Sequence, residues 1–336
     1  AWCSRRPRVP SIMSSRARYT QTYLSASPAR SRGGLRKLRV LLDDRVGERL
    51  GGGAELLDLR QLDALIDYHA EVGTDGLLVC GTTGESVTLT EFEQRRLMRF
   101  AAEQAAGRLP VMAGVGTNST AETVQLAGYA DEVGIDAILV VTPYYNKPSP
   151  NGLRLHYGEV AAATELPIFL YNNPGRTGCD LDPDLAAELA QTHENIVAVK
   201  EAAPGLERAR RHLALGALDL FCGEDSLLAE YVALGARGSI TVTANLLPQE
   251  ISDLFRVGGP ERDPERANTL AARIAPIAEA LFCESSPVPV KWALSRIFGT
   301  TPDVRPPLAP LEQESERLLE GALLRAGLLD RELARS

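Results

Sequence analysis

The segment NIVAVKEA, residues 195 to 202, is apolar and β-branched until it closes on Lys200 and Glu201. An ammonium at the end of a buried strand has two readings of comparable weight. Facing the interior of a fold it is stripped of water, which favours the neutral amine, a nucleophile able to attack a carbonyl and form a Schiff base. Equally, it can snorkel to solvent or balance a buried acid such as Glu224 or Asp225. Alternation along a strand places Lys200 on one face with Ala198 and Ile196, and Glu201 on the other with Val199 and Val197, so Lys200 and Glu201 do not pair within the strand.

Other apolar runs also end in residues with chemical potential. CGTTGES (80 to 86) offers consecutive backbone N–H groups and the hydroxyls of Thr82 and Thr83, a nest suited to a carboxylate; its plainer reading is a turn in which Ser86 or Thr90 caps the next helix. PYYN supplies Tyr144 and Tyr145, and a third phenol, Tyr171, ends the following run; such rings serve packing more often than proton relays. Arg176, in PGRTG, could grip a carboxylate bidentately or be an ordinary loop arginine. Metal chemistry has no support: His69, His156, His193 and His212 form no HxxxH or HxH pair, and the five cysteines, Cys3, Cys80, Cys179, Cys222 and Cys283, contain no CxxC. Scattered and odd in number, they read as reduced thiols in a reducing compartment.

What must position these groups is a repeated unit. From about residue 55, amphipathic helical stretches alternate with short, nearly continuous apolar runs: helix 58–73 with strand 76–80, 90–107 with 110–116, 120–134 with 137–143, 152–165 with 167–174, and 182–193 with 195–202. Shorter units place strands at 218–223 and 238–245. Continuous hydrophobicity implies strands covered on both faces, hence a parallel α/β sheet. Seven strands are evident, and an eighth would close a (β/α)8 TIM barrel, with LRVLL (38 to 42) as the weak candidate for the first. A doubly wound sheet is the alternative, but no GxGxxG follows an early strand. Helical patterns at 247–257, 264–282, 287–298 and 309–328 predict a C-terminal helical appendage. The chain thus divides into a leader (1–50), a barrel (51–246) and barrel-closing and C-terminal helices (247–336).

In order and on successive strands, CGTTGES, VTPYYNKP, YNNPGRTG, VKEA and ITVTAN resemble the dihydrodipicolinate synthases of the class I Schiff-base aldolase superfamily, over about residues 55 to 329. The resemblance implies a lyase of lysine and diaminopimelate biosynthesis that condenses pyruvate with L-aspartate 4-semialdehyde to 4-hydroxy-tetrahydrodipicolinate. By that resemblance Lys200 forms the imine with pyruvate, and Thr82 and Thr83 hold its carboxylate, with Gly223 and Ile240 also on the substrate. Thr83, Tyr145 and Tyr171 form a hydroxyl relay, Tyr145 reaching in from a neighbouring subunit, and Arg176 binds the semialdehyde carboxylate. A homo-oligomer, dimer or tetramer, is therefore implied, with no metal or organic cofactor beyond the covalent lysine–pyruvate imine. Ser86, Asn118, Glu122 and Tyr144 match an allosteric lysine site, although Glu91 and Gln94 stand where some relatives carry histidines. The family's first strand ends in a segment like VTPF, and LRVLLDDRVGERLGGG occupies its place here. A related 2-keto-3-deoxy acid or N-acetylneuraminate-type aldolase, or an inactive barrel used for metabolite binding, are the alternatives.

Composition narrows the class. The 336 residues are 44% hydrophobic and 24% charged, as in an ordinary globular protein. Residues 1 to 42 carry nine Arg, one Lys and no acid; that +10 against a formal total of -8 leaves -18 for residues 43 to 336. An acidic body argues against nucleic acid as a partner, and apolar runs of strand length argue against membrane insertion. The Arg/Ser-rich leader reads as a disordered or non-native extension, and the expected location is cytoplasmic, or an organelle of the plastid type if the leader is a transit peptide.

Overall fold

The computed structural model describes residues 57–259 and 262–330. The expectations for the leader and for a first strand at 38–42 lie outside the described residues.

Among the described residues seven strands form one sheet: β1 (Leu77–Val79), β2 (Val111–Gly114), β3 (Ala137–Val141), β4 (Ile168–Asn172), β5 (Ile196–Glu201), β6 (Asp219–Cys222) and β7 (Gly238–Ser239). Every neighbouring pair is parallel and the spatial order is the chain order. A doubly wound sheet would reverse its winding at a switch point, and this one never does. The eighth strand of the expected barrel is not found among the described residues, in which β1 and β7 are the two edges of the sheet.

Among the described residues twelve α-helices accompany the strands: α1 (Leu59–Val72), α2 (Glu91–Ala105), α3 (Thr120–Glu132), α4 (Pro150–Ala162), α5 (Pro174–Thr177), α6 (Pro183–Thr192), α7 (Glu207–Leu215), α8 (Leu228–Leu234), α9 (Pro248–Gly258), α10 (Pro264–Ala280), α11 (Val288–Phe298) and α12 (Gln313–Arg325). Local sequence starts them. Thr90 and Glu93 make a reciprocal capping box on α2, while Asp58, Ser119, Ser149 and Asp182 accept first-turn N–H groups of α1, α3, α4 and α6. The plainer reading of Thr90 as a cap therefore holds.

Two apolar layers result. The larger lies between sheet and helices and contains Ile138, Val140, Ile168, Leu170, Ile196, Val199 and Leu220. The smaller gathers Leu78, Met112, Leu139, Phe169, Tyr171, Ala198, Phe221 and Ile240. Side chains from six strands and from the segment after β7 meet in that one cluster, which requires the sheet to curl around it. The outer ring is continuous where the sheet is not: from α9, Gln249 donates to the Val72 carbonyl at 3.0 Å and Ser252 to Asp75 at 2.6 Å, so α9 packs beside α1.

Two strand expectations need correction. On β5, Ile196 pairs with Ile168 but Ala198 pairs with Phe169, a bulge that uses two steps of β5 against one of β4. Ile196 consequently lies in the outer layer, and Lys200 shares the inner face with Ala198 but not with Ile196. The strand expected over 238–245 is cut to Gly238–Ser239. Ile240 still donates to Cys222 at 2.9 Å, but the N–H groups of Val242 and Thr243 go to the Asp225 carboxylate, at 3.2 and 2.7 Å, and the chain turns into a 3-10 segment, Thr243–Asn245. A buried side chain there takes the donors that a longer β-ladder would use.

Candidate active site

Tyr171 and Lys200 are register partners on β4 and β5, and Lys200 is in turn the partner of Phe221 on β6. Paired residues of a parallel sheet project to the same face, so phenol and amine enter the interior together. The Lys200 Nζ lies 4.2 Å from the centroid of the Tyr171 ring, and both residues are buried. Burial pushes the Tyr171 phenol up, but the Lys200 charge, hydrogen bonds with Asn173 and Thr82, and the Arg176 charge outweigh it, so the phenol stands below its ordinary value of 10. Asn173 Nδ2 donates to the phenol oxygen at 3.2 Å.

Space around the amine is reserved by Gly223. A Cβ there would stand 2.8 Å from Lys200 Cε and 2.9 Å from both Lys200 Cγ and Ala202 Cβ, so the lysine runs across the position a side chain would occupy.

Asp225 and Glu224 do not form the ion pair that a purely structural Lys200 would need. Asp225 accepts from Thr243 and Val242, and Glu224 accepts from Ser226 Oγ at 3.0 Å. Burial holds the Asp225 carboxyl above the usual range in spite of the bonds from Thr243 and Val242 and the Lys200 charge.

Glu201 turns the other way, out to the helices. Fully buried, it accepts from Asn172 Nδ2 at 3.0 and 3.2 Å, from the Ala203 N–H at 2.9 Å, from Arg208 Nε at 3.0 Å and from His212 at 3.4 Å. Burial raises this carboxyl, and the His212 bond, the Arg208 charge and the Ala203 N–H bring it below the ordinary value. Asn172 also donates to Asp180 and accepts from the Leu181 N–H. This network ties the end of β4 to the end of β5 and so fixes Tyr171 beside Lys200.

One open cavity of about 3100 Å³ takes in Thr82, Thr83, Tyr144, Tyr171, Arg176, Lys200, Gly223 and Ile240. Most of the residues singled out in the sequence therefore converge. The cavity also reaches Leu77, Pro110 and Asp136 at the far ends of the strands, because the described sheet is open between β1 and β7.

One placement differs from expectation. The loop side chain that acts on the Tyr171 phenol is that of Thr82, whereas the resemblance put Thr83 in the relay. Cys80, with φ of 53°, redirects the chain just before this loop. Tyr145 is 88% exposed, with φ of 74° and its N–H on the Thr177 carbonyl at 3.1 Å, so it stands outside this chain's own cavity. Asn118, Glu122 and Tyr144 do adjoin: burial raises the Tyr144 phenol, and its hydrogen bond with Asn118 and the charge of Glu122 also act on it. Ser86 sits on the loop before α2, its carbonyl accepting from Gln94 Nε2 at 2.9 Å.

Arg176 lies at the mouth in α5, where Nη2 donates to the Ser286 carbonyl at 3.2 Å. The sequence reading missed Asn173, Glu85, Lys291 and Arg305. Glu85 is buried on the Thr82–Thr83 loop and is met by Lys291 Nζ and by the Arg305 N–H, the latter at 2.8 Å. The available signal was a single lysine in the apolar helical run VPVKWAL.

Among the described residues no group of His, Cys, Asp and Glu is arranged to hold a metal ion, and no helix is long and apolar enough to cross a membrane. Cys80, beside the cavity, is pushed up to about 12 by burial and is not poised as a thiolate.

Comparison with known proteins gives a consistent result. Residues 53–326 match the model of the dihydrodipicolinate synthetase family. The 4-hydroxy-tetrahydrodipicolinate synthase of Trichlorobacter lovleyi is 45% identical over 272 residues, covering 80% of this chain and 92% of the relative. The crystal structure of dihydrodipicolinate synthase from Aquifex aeolicus superposes with a TM-score of 0.79 at 40% identity, covering 82% of this chain and 94% of the other. That of the Cyanidioschyzon merolae enzyme, with lysine bound, gives 0.78 at 35% identity, covering 81% and 93%.

Proposed function

The chain belongs to the dihydrodipicolinate synthetase family, and on that premise we propose that its cavity condenses pyruvate with L-aspartate 4-semialdehyde through an imine on Lys200. The observation that carries this reading is the buried Lys200 amine against the Tyr171 ring, at the ends of adjacent strands and with the Thr82–Thr83 loop lining the same cavity.

The chemistry follows from those groups. Lys200 Nζ attacks the keto carbon of pyruvate, and loss of water leaves an imine, which withdraws electrons from the methyl group. Loss of a methyl proton gives the enamine, whose carbon attacks the aldehyde and forms the new C–C bond. Attack of the semialdehyde's amine on the imine carbon then closes the ring and frees the lysine. Tyr171, held below its ordinary value and bonded by Asn173, is the group placed to move protons at the imine. The N–H groups and hydroxyls of the Thr82–Thr83 loop receive the pyruvate carboxylate, and Arg176, held by Ser286, receives that of the semialdehyde. The lysine imine is the electron sink, so the sequence of steps calls on no metal or organic cofactor.

Several finer points belong to the same proposal. Exposure of Tyr145 supports its donation to the site of a neighbouring copy, and hence a homo-oligomer. Juxtaposition of Asn118, Glu122 and Tyr144 supports lysine as an effector, and the Cyanidioschyzon merolae structure has lysine bound. The likeness to the family's structures and the continuous helical ring support closure as a (β/α)8 barrel. Scattered cysteines that read as reduced thiols, together with an acidic body, support a cytoplasmic site of action.

Reduction with borohydride in the presence of pyruvate, followed by peptide mapping, tests the mechanism. The mass increment is expected on Lys200; a modification elsewhere, or none in folded protein, overturns it. Activity with pyruvate and aspartate semialdehyde, against turnover of 2-keto-3-deoxy acids, separates this lyase from its relatives.

A further inference from the structure

Glu85 is a buried carboxylate that the imine chemistry does not use. It closes the turn that carries Thr82 and Thr83: its own N–H donates to the Thr82 carbonyl at 3.0 Å, and Gly84 and Ser86 donate to Gly81 at 3.1 and 3.3 Å. Its φ of 54° lies in the left-handed region, which a glutamate adopts only when its surroundings hold it there. The holding groups come from more than 200 residues away. Lys291, on the first turn of α11, places Nζ on Glu85 Oε1 and also donates to the Asp303 carbonyl at 3.1 Å. Arg305 gives its backbone N–H to Glu85 Oε2 and its guanidinium to the Thr88 carbonyl at 2.9 Å and to Glu93.

From this geometry we propose that Lys291, acting through Glu85, is a positioning residue for the carboxylate-binding loop and sets the affinity for pyruvate. The inference rests on the reading of that loop given above. Two physical effects combine. The ion pair fixes the backbone of the loop, so that its N–H groups and hydroxyls are in place before substrate arrives. It also neutralises a buried anion only two residues from Thr83; left unpaired in low dielectric, that charge would oppose the entry of a second carboxylate. Lys291 acts through Glu85 and not on the reacting atoms. It acts on binding of the first substrate, and leaves the later chemistry at Lys200 and Tyr171 unaltered once pyruvate is bound.

The test compares Lys291→Met, Lys291→Arg, Glu85→Gln and the Glu85→Gln/Lys291→Met double variant with the unmodified full chain. Steady-state constants for both substrates and the pyruvate concentration dependence of borohydride trapping are measured. Lys291→Met is expected to raise the KM for pyruvate about tenfold or more, with kcat at saturating pyruvate and the KM for the semialdehyde changed by less than about threefold. Lys291→Arg, which keeps the charge, recovers most of the affinity. The double variant binds pyruvate better than Lys291→Met, because the unpaired charge is gone. Glu85→Gln, nearly isosteric, raises the pyruvate KM by several-fold and serves if Lys291→Met does not fold.

An unchanged pyruvate KM in folded Lys291→Met or Glu85→Gln overturns the proposal, as does an equal effect on both substrates. Failure of the unmodified chain to form any Lys200 adduct sinks the underlying reading instead, so the two failures are distinguishable.

Discussion

Lys200 and Tyr171 are held face to face because they are register partners on adjacent parallel strands, which puts the ammonium 4.2 Å from the phenol ring. Neither loop flexibility nor a long-range side-chain reach is involved. A cation over a ring face gains about 0.5–2 kcal/mol, and its field also favours the phenolate.

That field gives the first prediction. In unliganded protein one tyrosine should ionise below the ordinary phenol value of 10, because the Lys200, Asn173, Thr82 and Arg176 contributions exceed the effect of burial. Ultraviolet titration checks it. In Lys200→Met the low transition should move upward; an unchanged titration curve would show that Lys200 does not act on Tyr171.

The relay hydroxyl can be assigned by comparing Thr82→Val with Thr83→Val. Since the Thr82 side chain acts on the Tyr171 phenol, Thr82→Val should resemble Tyr171→Phe, each lowering kcat by roughly 10² to 10⁴. Thr83→Val should act mainly on the KM for pyruvate. The reverse pattern would restore Thr83 to the relay.

Gly223→Ala should slow imine formation by about 10²-fold while the protein still folds, since the added methyl would fall 2.8 Å from Lys200 Cε and displace the nucleophile. The observed rate of borohydride trapping at saturating pyruvate is the measurement. Trapping at the unmodified rate would mean that the lysine has room to spare.

Glu201→Ala leaves Asn172, Arg208 and His212 facing an empty site in the buried network at the ends of β4 and β5. Breaking such a network on one side costs about 3–5 kcal/mol, so denaturant unfolding should report a loss of that size. Glu201→Gln keeps the shape and should cost less. Equal stability of all three proteins would remove Glu201 as the tie between the strands.

Stability should also fall in acid over a defined window. His69 and His156 are both held down to about 4 by burial, against 6.5 when exposed. Between those values the unfolded chain binds protons that the folded one does not, so stability falls as pH drops from 6.5 towards 4, by up to about 3 kcal/mol for each histidine. Chemical denaturation at pH 7 and pH 4.5 gives the difference; His69→Gln should reduce it.

Much of this was legible in the sequence because the physics involved is local. The caps at Asp58, Thr90, Ser119, Ser149 and Asp182 begin helices within a few residues of where periodicity places them. Continuous apolar runs mark strands covered on both faces, and each run ends in the residues that line the cavity. The errors arose where a distant group competes with a local pattern. Asp225 takes the N–H groups of Val242 and Thr243, ending β7 early, and the bulge opposite Ile168 and Phe169 moves Ile196 to the outer layer.

By itself, then, the sequence determined the alternation of helices and parallel strands, a lysine at the end of β5, and a turn whose N–H groups and hydroxyls could serve a carboxylate. Only the tertiary structure decided that Thr82 acts on the Tyr171 phenol, that Tyr145 is exposed, and that Lys291 and Arg305 hold Glu85. The physical reason is separation along the chain. Helix and strand periodicity is set by residues within a few positions of one another. Contacts such as Glu85 with Lys291 depend on how the completed helical ring packs across the strand ends, and no short-range pattern records that.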